Sequence, residues 1–161
     1  MKIIIHGGFF SESGTDEATK TAKQEAMKYI ASTAFDYLKD HTALQTAAFA
    51  VALLEDDPLF NAGTGSQIQS DGQIRMSAAL MDGVTKRMSG VINIQSVKNP
   101  ILVAGKLMAY DDRILGGEGA TAFARMNDFP EYSPEIPQRR QEFEEKLRSE
   151  ERRVGKECRS R

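Results

Sequence analysis

Asn61 is the only amide side chain in Phe60-Asn61-Ala62-Gly63-Thr64-Gly65-Ser66, a run otherwise composed of small residues after one aromatic. Small side chains let the backbone curl tightly enough for carbonyl oxygens to surround an ion, and a carboxamide at such a place can donate to a developing oxyanion. Phosphate cradles also use spaced glycines, so Gly63-x-Gly65 admits nucleotide binding as an alternative. A phosphate loop must open a helix whose N-terminal amides face the anion. Here Gln67-Ile68-Gln69 leads into a hairpin pattern instead. Glu55-Asp56-Asp57, just upstream, could pass for a carboxylate metal site, but three successive acids at a helix end read more simply as a solvated face. His6-Gly7-Gly8 closes an apolar run and puts glycines where backbone amides can approach a substrate. Its plainer reading is a tight turn with a packed histidine. Ser11, Ser13 and Thr15 have no base partner in the sequence and read as turn and cap residues.

Bulk properties narrow the classes. The 161 residues carry a formal charge of −2, but residues 148–161 hold six basic and three acidic groups. Residues 1–147 are left with fifteen basic against twenty acidic groups, a balance of −5. No Lys/Arg cluster precedes residue 139, so the body is a poor counterion for phosphate backbones and nucleic acid is not an expected partner. Cys158 is the single cysteine, which leaves the body without a disulfide or a thiolate metal site. Ile3-Ile4-Ile5 is too short for a signal core or a membrane span, and the expected location is the cytoplasm.

The elements that must position these residues follow from the pattern. Ile3-Ile4-Ile5 reads as a central strand ending at Gly7-Gly8. From about residue 16 to 39, Ala18, Ala22, Ala26, Ile30, Ala34 and Leu38 form a ridge at spacing four, suited to close packing of a helix on a sheet. Thr42 and Gln45 make a capping box that starts a second helix. Its stripe is Leu44, Ala47, Ala48, Val51 and Leu54, and it stops before Pro58. Ser70-Asp71-Gly72 suits a three-residue hairpin with Gly72 left-handed, which would pair Ile68 with Ile74, whereas a two-residue Asp71-Gly72 turn would oppose Ile68 with Arg75. Ile74, Met76, Ala78 and Leu80 continue inward, Asp82-Gly83 reverses the chain, and residues 87–95 return through Val91, Ile92 and Ile94, giving an antiparallel sheet. Asn99 caps a helix that begins at Pro100. A short strand near 113–115, a helix over 118–126, a proline-marked surface linker and a charged, solvated helix over 138–147 complete the order.

Several of these segments, in this order, resemble the plant-type asparaginases, also called isoaspartyl peptidases, a family of N-terminal nucleophile hydrolases. Phe60 to Ser66 is similar to their FNAGxGS segment, His6-Gly7-Gly8 to HGG, and Met76 to Gly83 to MDAxxMDG with Ser77 in place of the usual acid. Lys98-Asn99-Pro100-Ile101 resembles their NPI helix start and Gly117-Glu118-Gly119-Ala120 their GxGA turn. The likeness runs from Met1 to about Leu147. Phe9-Phe10 departs from the small residues of that family's opening segment.

The resemblance implies an α+β fold, the N-terminal half of an αββα four-layer sandwich, with residues 1–147 as the α-subunit portion and 128–147 as its linker and charged helix. Residues 148–161 break the composition and resemble the translation of a sequencing adapter, so they are set apart as a non-native tail. It further implies a structural Na⁺ held by the backbone carbonyls of Leu54, Glu55, Asp57, Phe60, Ala62 and Thr64, with no organic cofactor. Asn61, with Gly7 and Gly8, would shape the oxyanion region. The family's nucleophile is a Thr opening a Thr-Val-Gly run, and no Thr occurs here beyond Thr121. The nucleophile is therefore expected in a missing C-terminal β subunit, released by autoproteolysis. The implied substrates are L-asparagine or β-aspartyl dipeptides, and the implied assembly is a dimer of αβ units. A glycosylasparaginase-type amidase and a non-catalytic binding module stand as alternatives.

Overall fold

The computed structural model describes residues 1–8 and 16–159, with side chains through residue 149. Phe9, Phe10, Ser11, Ser13 and Thr15, and the side chain of Cys158, lie outside the described residues. The order is α1 (Glu17–Tyr37), α2 (Ala43–Asp56), β1 (Met76–Asp82), β2 (Arg87–Ile94), α3 (Pro100–Leu107), β3 (Ile114–Gly116), α4 (Gly117–Met126) and α5 (Pro137–Arg159). No helix among the described residues is long and apolar enough to cross a membrane.

The sheet order is β1-β2-β3. β1 and β2 are antiparallel, as the alternation predicts, but β3 lies parallel to β2, so the sheet is mixed rather than antiparallel. The reason is topological: α3 carries the chain over one face before β3 returns, and a helical crossover joins parallel neighbours. Between Met76 and Ala78 the register shifts, so that Ser77 opposes both Ile92 and Asn93. The Asn93 N–H donates to Ser77 Oγ at 3.1 Å, and Asn93 takes a positive φ of 56°. A serine hydroxyl thus fixes a β-bulge.

One face of this sheet is a closed core. Met76, Val91 and Ile94 pack with Val97, Val103, Ala104 and Leu107 around α3, and with Ala120 and Ala124 of α4. Buried Ser89 satisfies its hydroxyl by donating to the Ala104 carbonyl at 2.6 Å. The other face stays uncovered among the described residues: Met81, Met88, Ile92 and Ile114 are each about half exposed or more. The described architecture is therefore five helices with one three-stranded sheet, helices covering a single face.

Four expectations are corrected. Ile3-Ile4-Ile5 forms no strand, and Ile4 is 96% exposed. A strand exists only through ladder bonds to a neighbour, and none among the described residues runs beside it. α1 packs on α2 rather than on the sheet, burying Ile30 and Ala34 while Ala18 and Ala22 stay exposed. The buried residues of α2 are Thr46, Ala50 and Glu55, with Ala47 exposed, because the helix turns its tightest contacts toward α1 and α3 rather than centring on the apolar stripe. Asn99 makes no side-chain cap; its amide donates to Asp56 Oδ1 at 2.9 Å and the Ala52 carbonyl at 3.3 Å. The capping box of Thr42 and Gln45 is present, and so is the three-residue turn, with Gly72 at φ 80° and Gln69 N–H donating to the Gln73 carbonyl at 2.8 Å.

Candidate active-site cleft

Pro58 shapes the end of α2 twice. It stops the helix, and having no N–H it leaves the Leu54 carbonyl without the donor that a residue four places on would supply. Leu59 N–H turns instead to Asp57 Oδ1 at 3.0 Å. The chain then folds back on the helix end. Thr64 N–H donates to the Glu55 carbonyl at 2.7 Å, Phe60 N–H to the Asp57 carbonyl at 3.1 Å and Ser66 N–H to the Gly63 carbonyl at 3.2 Å. The fold-back is close enough to demand glycine: a Cβ on Gly63 would lie 2.2 Å from the Glu55 carbonyl oxygen, and one on Gly65 2.8 Å from the Pro58 carbonyl oxygen. Both also hold positive φ, 49° and 93°.

Of the six carbonyls that the resemblance assigns to Na⁺, those of Glu55 and Asp57 each accept one backbone N–H. Those of Leu54, Phe60, Ala62 and Thr64 accept no backbone N–H from another segment among the described residues. Unclaimed carbonyls on a tightly curled backbone suit a hard monovalent cation, which needs several neutral oxygens. The described residues contain no group of three or more His, Cys, Asp or Glu able to hold a metal by side chains.

Glu55 is not part of a solvated face, contrary to the sequence expectation. It is 3% exposed, and its Oε1 accepts the Ile101 N–H at 3.1 Å, so the carboxyl caps α3 from outside that helix. Its Oε2 is buried with no partner among the described residues. Burial pushes its pKa up to about 8, against the opposing pull of the Ile101 amide. Asp56 does behave as expected, pairing on the surface with Lys98 at 2.8 Å. The signal missed in the sequence was spacing: Glu55 follows Val51 by four, continuing the apolar stripe of α2.

Asn61 lies at the apex of the loop. The Gln67 N–H donates to its Oδ1 at 2.9 Å, which turns the carboxamide so that its N–H donors remain uncommitted among the described residues. Asn61, Gly7 and Gly8, some fifty residues apart, line one cleft of about 580 Å³. Phe60 and Gln67 contribute to the same cleft, with Asp16, Thr19 and Lys23 from the start of α1 and Gln138, Arg139 and Glu142 from the start of α5. Asn61 is exposed, and it lines both this cleft and a smaller cavity of about 210 Å³ that Glu55, Ser66 and Ser77 also line. Gly7 is wedged in place: a Cβ there would meet Met27 Sδ at 2.8 Å and Phe60 Cε1 at 3.1 Å. His6 is a turn residue, its Nδ1 receiving the Gly8 N–H at 3.3 Å. The α5 side chains do not stand out in the sequence, because their partners are distant.

Known proteins resemble this chain along most of its length. A family sequence model described as Asparaginase matches residues 1–160. The plant-type L-asparaginase of Pyrococcus furiosus is 44% identical over 146 residues, which is 90% of this chain and 47% of that protein. The isoaspartyl peptidase/L-asparaginase of Synechocystis sp. is 42% identical over 89% of this chain and 44% of its own length. That of Xenopus laevis is 36% identical over 80% of this chain. The chain spans about half the length of the curated relatives it matches.

Proposed function

The chain belongs to the asparaginase family, and on that premise we propose that it is the α-subunit portion of a threonine-nucleophile amidohydrolase that cleaves L-asparagine or β-aspartyl dipeptides. The observation that carries the proposal is the convergence of Asn61, Gly7 and Gly8 on one cleft, with the Asn61 carboxamide held by Gln67 so that its N–H donors are uncommitted among the described residues.

In this mechanism the threonine hydroxyl, supplied by the β subunit, attacks the side-chain amide carbonyl carbon of the substrate. Its proton passes to the threonine's own α-amine, freed by autoproteolysis, and from there to the leaving nitrogen. Ammonia or an amino acid departs, and water then releases aspartate from the acyl ester. Negative charge grows on the carbonyl oxygen at each attack. Asn61 donates to that oxygen from a position fixed before the substrate arrives, and removing such a donor costs roughly a hundred- to a thousandfold in rate. Gly7 and Gly8, having no side chains, let the substrate approach the backbone of that wall. The carbonyls of Leu54, Glu55, Asp57, Phe60, Ala62 and Thr64 would hold a Na⁺, whose positive charge would keep the curl from springing open. The exposed sheet face of Met81, Met88, Ile92 and Ile114 is where the second subunit packs in this proposal, within a dimer of αβ units.

The source DNA read past codon 147 tests the assignment directly. A Thr-Val-Gly run in frame is the expected result, and a natural stop codon would replace the hydrolase with a non-catalytic module. The chain expressed alone is expected to release no ammonia from L-asparagine above background.

A further inference from the structure

The segment between α4 and α5 reads as a solvated linker in sequence, yet it forms the outer wall of the glycine loop. Tyr132 Oη lies 2.8 Å from Thr64 Oγ1. Gly65 N–H donates to the Pro134 carbonyl at 2.9 Å, and Arg139 Nε donates to the Gly65 carbonyl at 2.7 Å. Both polar groups of Gly65 therefore end on one stretch of chain about seventy residues away. Gly65 has no such partners inside its own loop, although it is buried and held at positive φ. A buried peptide group left without partners would cost free energy comparable to the hydrogen bonds it lacks.

The stretch is anchored in its turn. Tyr132 N–H donates to the Ser96 carbonyl at 3.1 Å, Arg125 bonds the Phe129 and Pro130 carbonyls at 2.9 and 3.0 Å, and Pro134 is buried. The Arg139 side chain is only 13% exposed, and its Nη1 pairs with Glu142 at 2.7 Å. A loose spacer would show none of these contacts.

We propose that residues 129–142 are a strap that sets the loop carrying Asn61, with Tyr132 and Arg139 as positioning residues for the amide donor of the cleft. The assignment rests on the functional reading above, since it gives the strap its purpose, but its test does not require activity. Residue-resolved amide hydrogen exchange on the whole chain reads it. The Gln67 N–H is the reporter, because it bonds Asn61 Oδ1 and so senses the carboxamide's orientation.

Arg139→Gln is expected to speed exchange at Gly65 and Gln67 by roughly tenfold, with β2 and the Ile30 to Ala34 turn of α1 unchanged. Arg139→Lys, which keeps one donor for the Gly65 carbonyl but not the fork to Glu142, should recover part of the protection. Tyr132→Phe is the milder probe, and its effect should vanish in a Thr64→Val background, where the hydroxyl partner is already gone. Wild-type exchange at Gly65 and Gln67 in Arg139→Gln would overturn the strap and leave the hydrolase assignment standing. Uniform acceleration through β2 and α1 would overturn it too, as a loss of global stability rather than of positioning. A stop codon after residue 147 would remove the hydrolase assignment while leaving local acceleration as support for the strap.

Discussion

A methyl group on Gly63 would sit 2.2 Å from the Glu55 carbonyl oxygen and 2.6 Å from its Cβ, whereas Gly8, across the cleft that Asn61 lines, has nothing within 4 Å of the same position among the described residues. The two walls of the cleft are built on different principles. The loop wall is fixed by backbone: helix end, hydrogen bonds and glycines leave it one conformation, and the strap closes it from outside. The opposite wall, at Gly7 and Gly8, sets Gly7 against the Met27 and Phe60 side chains and has no ladder bonds among the described residues. An oxyanion donor benefits from the first kind of support, because reorganisation during the reaction would consume the stabilisation it provides. A substrate entrance tolerates the second.

The largest effect that would break this contrast concerns Glu55, the residue on which the loop is folded. Its pKa is about 8 in the folded chain against an ordinary value of 4.5, so between those two values the folded state binds more protons than the unfolded state. Stability is then fully present at the acid end and falls as pH rises through the window. The shift corresponds to up to roughly 5 kcal/mol, an upper bound for a group this buried. Melting temperature followed from about pH 5 to about pH 9 should fall in the wild-type chain, and Glu55→Gln should flatten that fall while leaving acid stability unchanged. A parallel decline in the variant would show that the carboxyl is solvated and the loop wall looser than its contacts indicate.

Gly63→Ala comes next. The new Cβ meets backbone atoms, which cannot step aside as a side-chain tip can, and φ of 49° adds left-handed strain. Together these cost about 3 to 5 kcal/mol. Denaturant unfolding should show a large drop in the midpoint, and a loss under about 1 kcal/mol would mean that the curl is not rigid.

How much of this was legible in the sequence follows the same division. Local chemistry could be read: the Thr42-Gln45 box, the turn at Gly72, the alternation through Met76 and Leu80, and the stop at Pro58 each depend on neighbours within a few residues. The location of the glycine loop next to the HGG turn came from the family likeness, not from any local pattern. What escaped depends on distant partners. Glu55 looks like one of three surface acids until α3 is brought over it, and Ile3-Ile4-Ile5 looks like a strand because its apolarity says nothing about which neighbour would pair with it. Tyr132 and Arg139 lie in a segment whose prolines and charges suit solvent equally well. Nothing nearby in the sequence points at Gly65.

Gly7→Ala and Gly8→Ala probe the softer wall, where the smallest effects are expected and where the two substitutions should separate. At Gly7 the added methyl meets Met27 Sδ at 2.8 Å and Phe60 Cε1 at 3.1 Å, and the thioether is free to turn away while the aromatic ring, 5% exposed, is not. Overpacking of that kind costs about 1 to 2 kcal/mol. At Gly8 the methyl meets nothing within 4 Å among the described residues, and its penalty there is the φ of 111°. A segment without ladder bonds can relax that strain by shifting its own backbone, so the loss should stay under about 1 kcal/mol. Equilibrium unfolding of both variants beside wild type measures the pair. If Gly8→Ala proved as damaging as Gly63→Ala, the turn would be held as firmly as the loop, and the cleft would have two rigid walls instead of one.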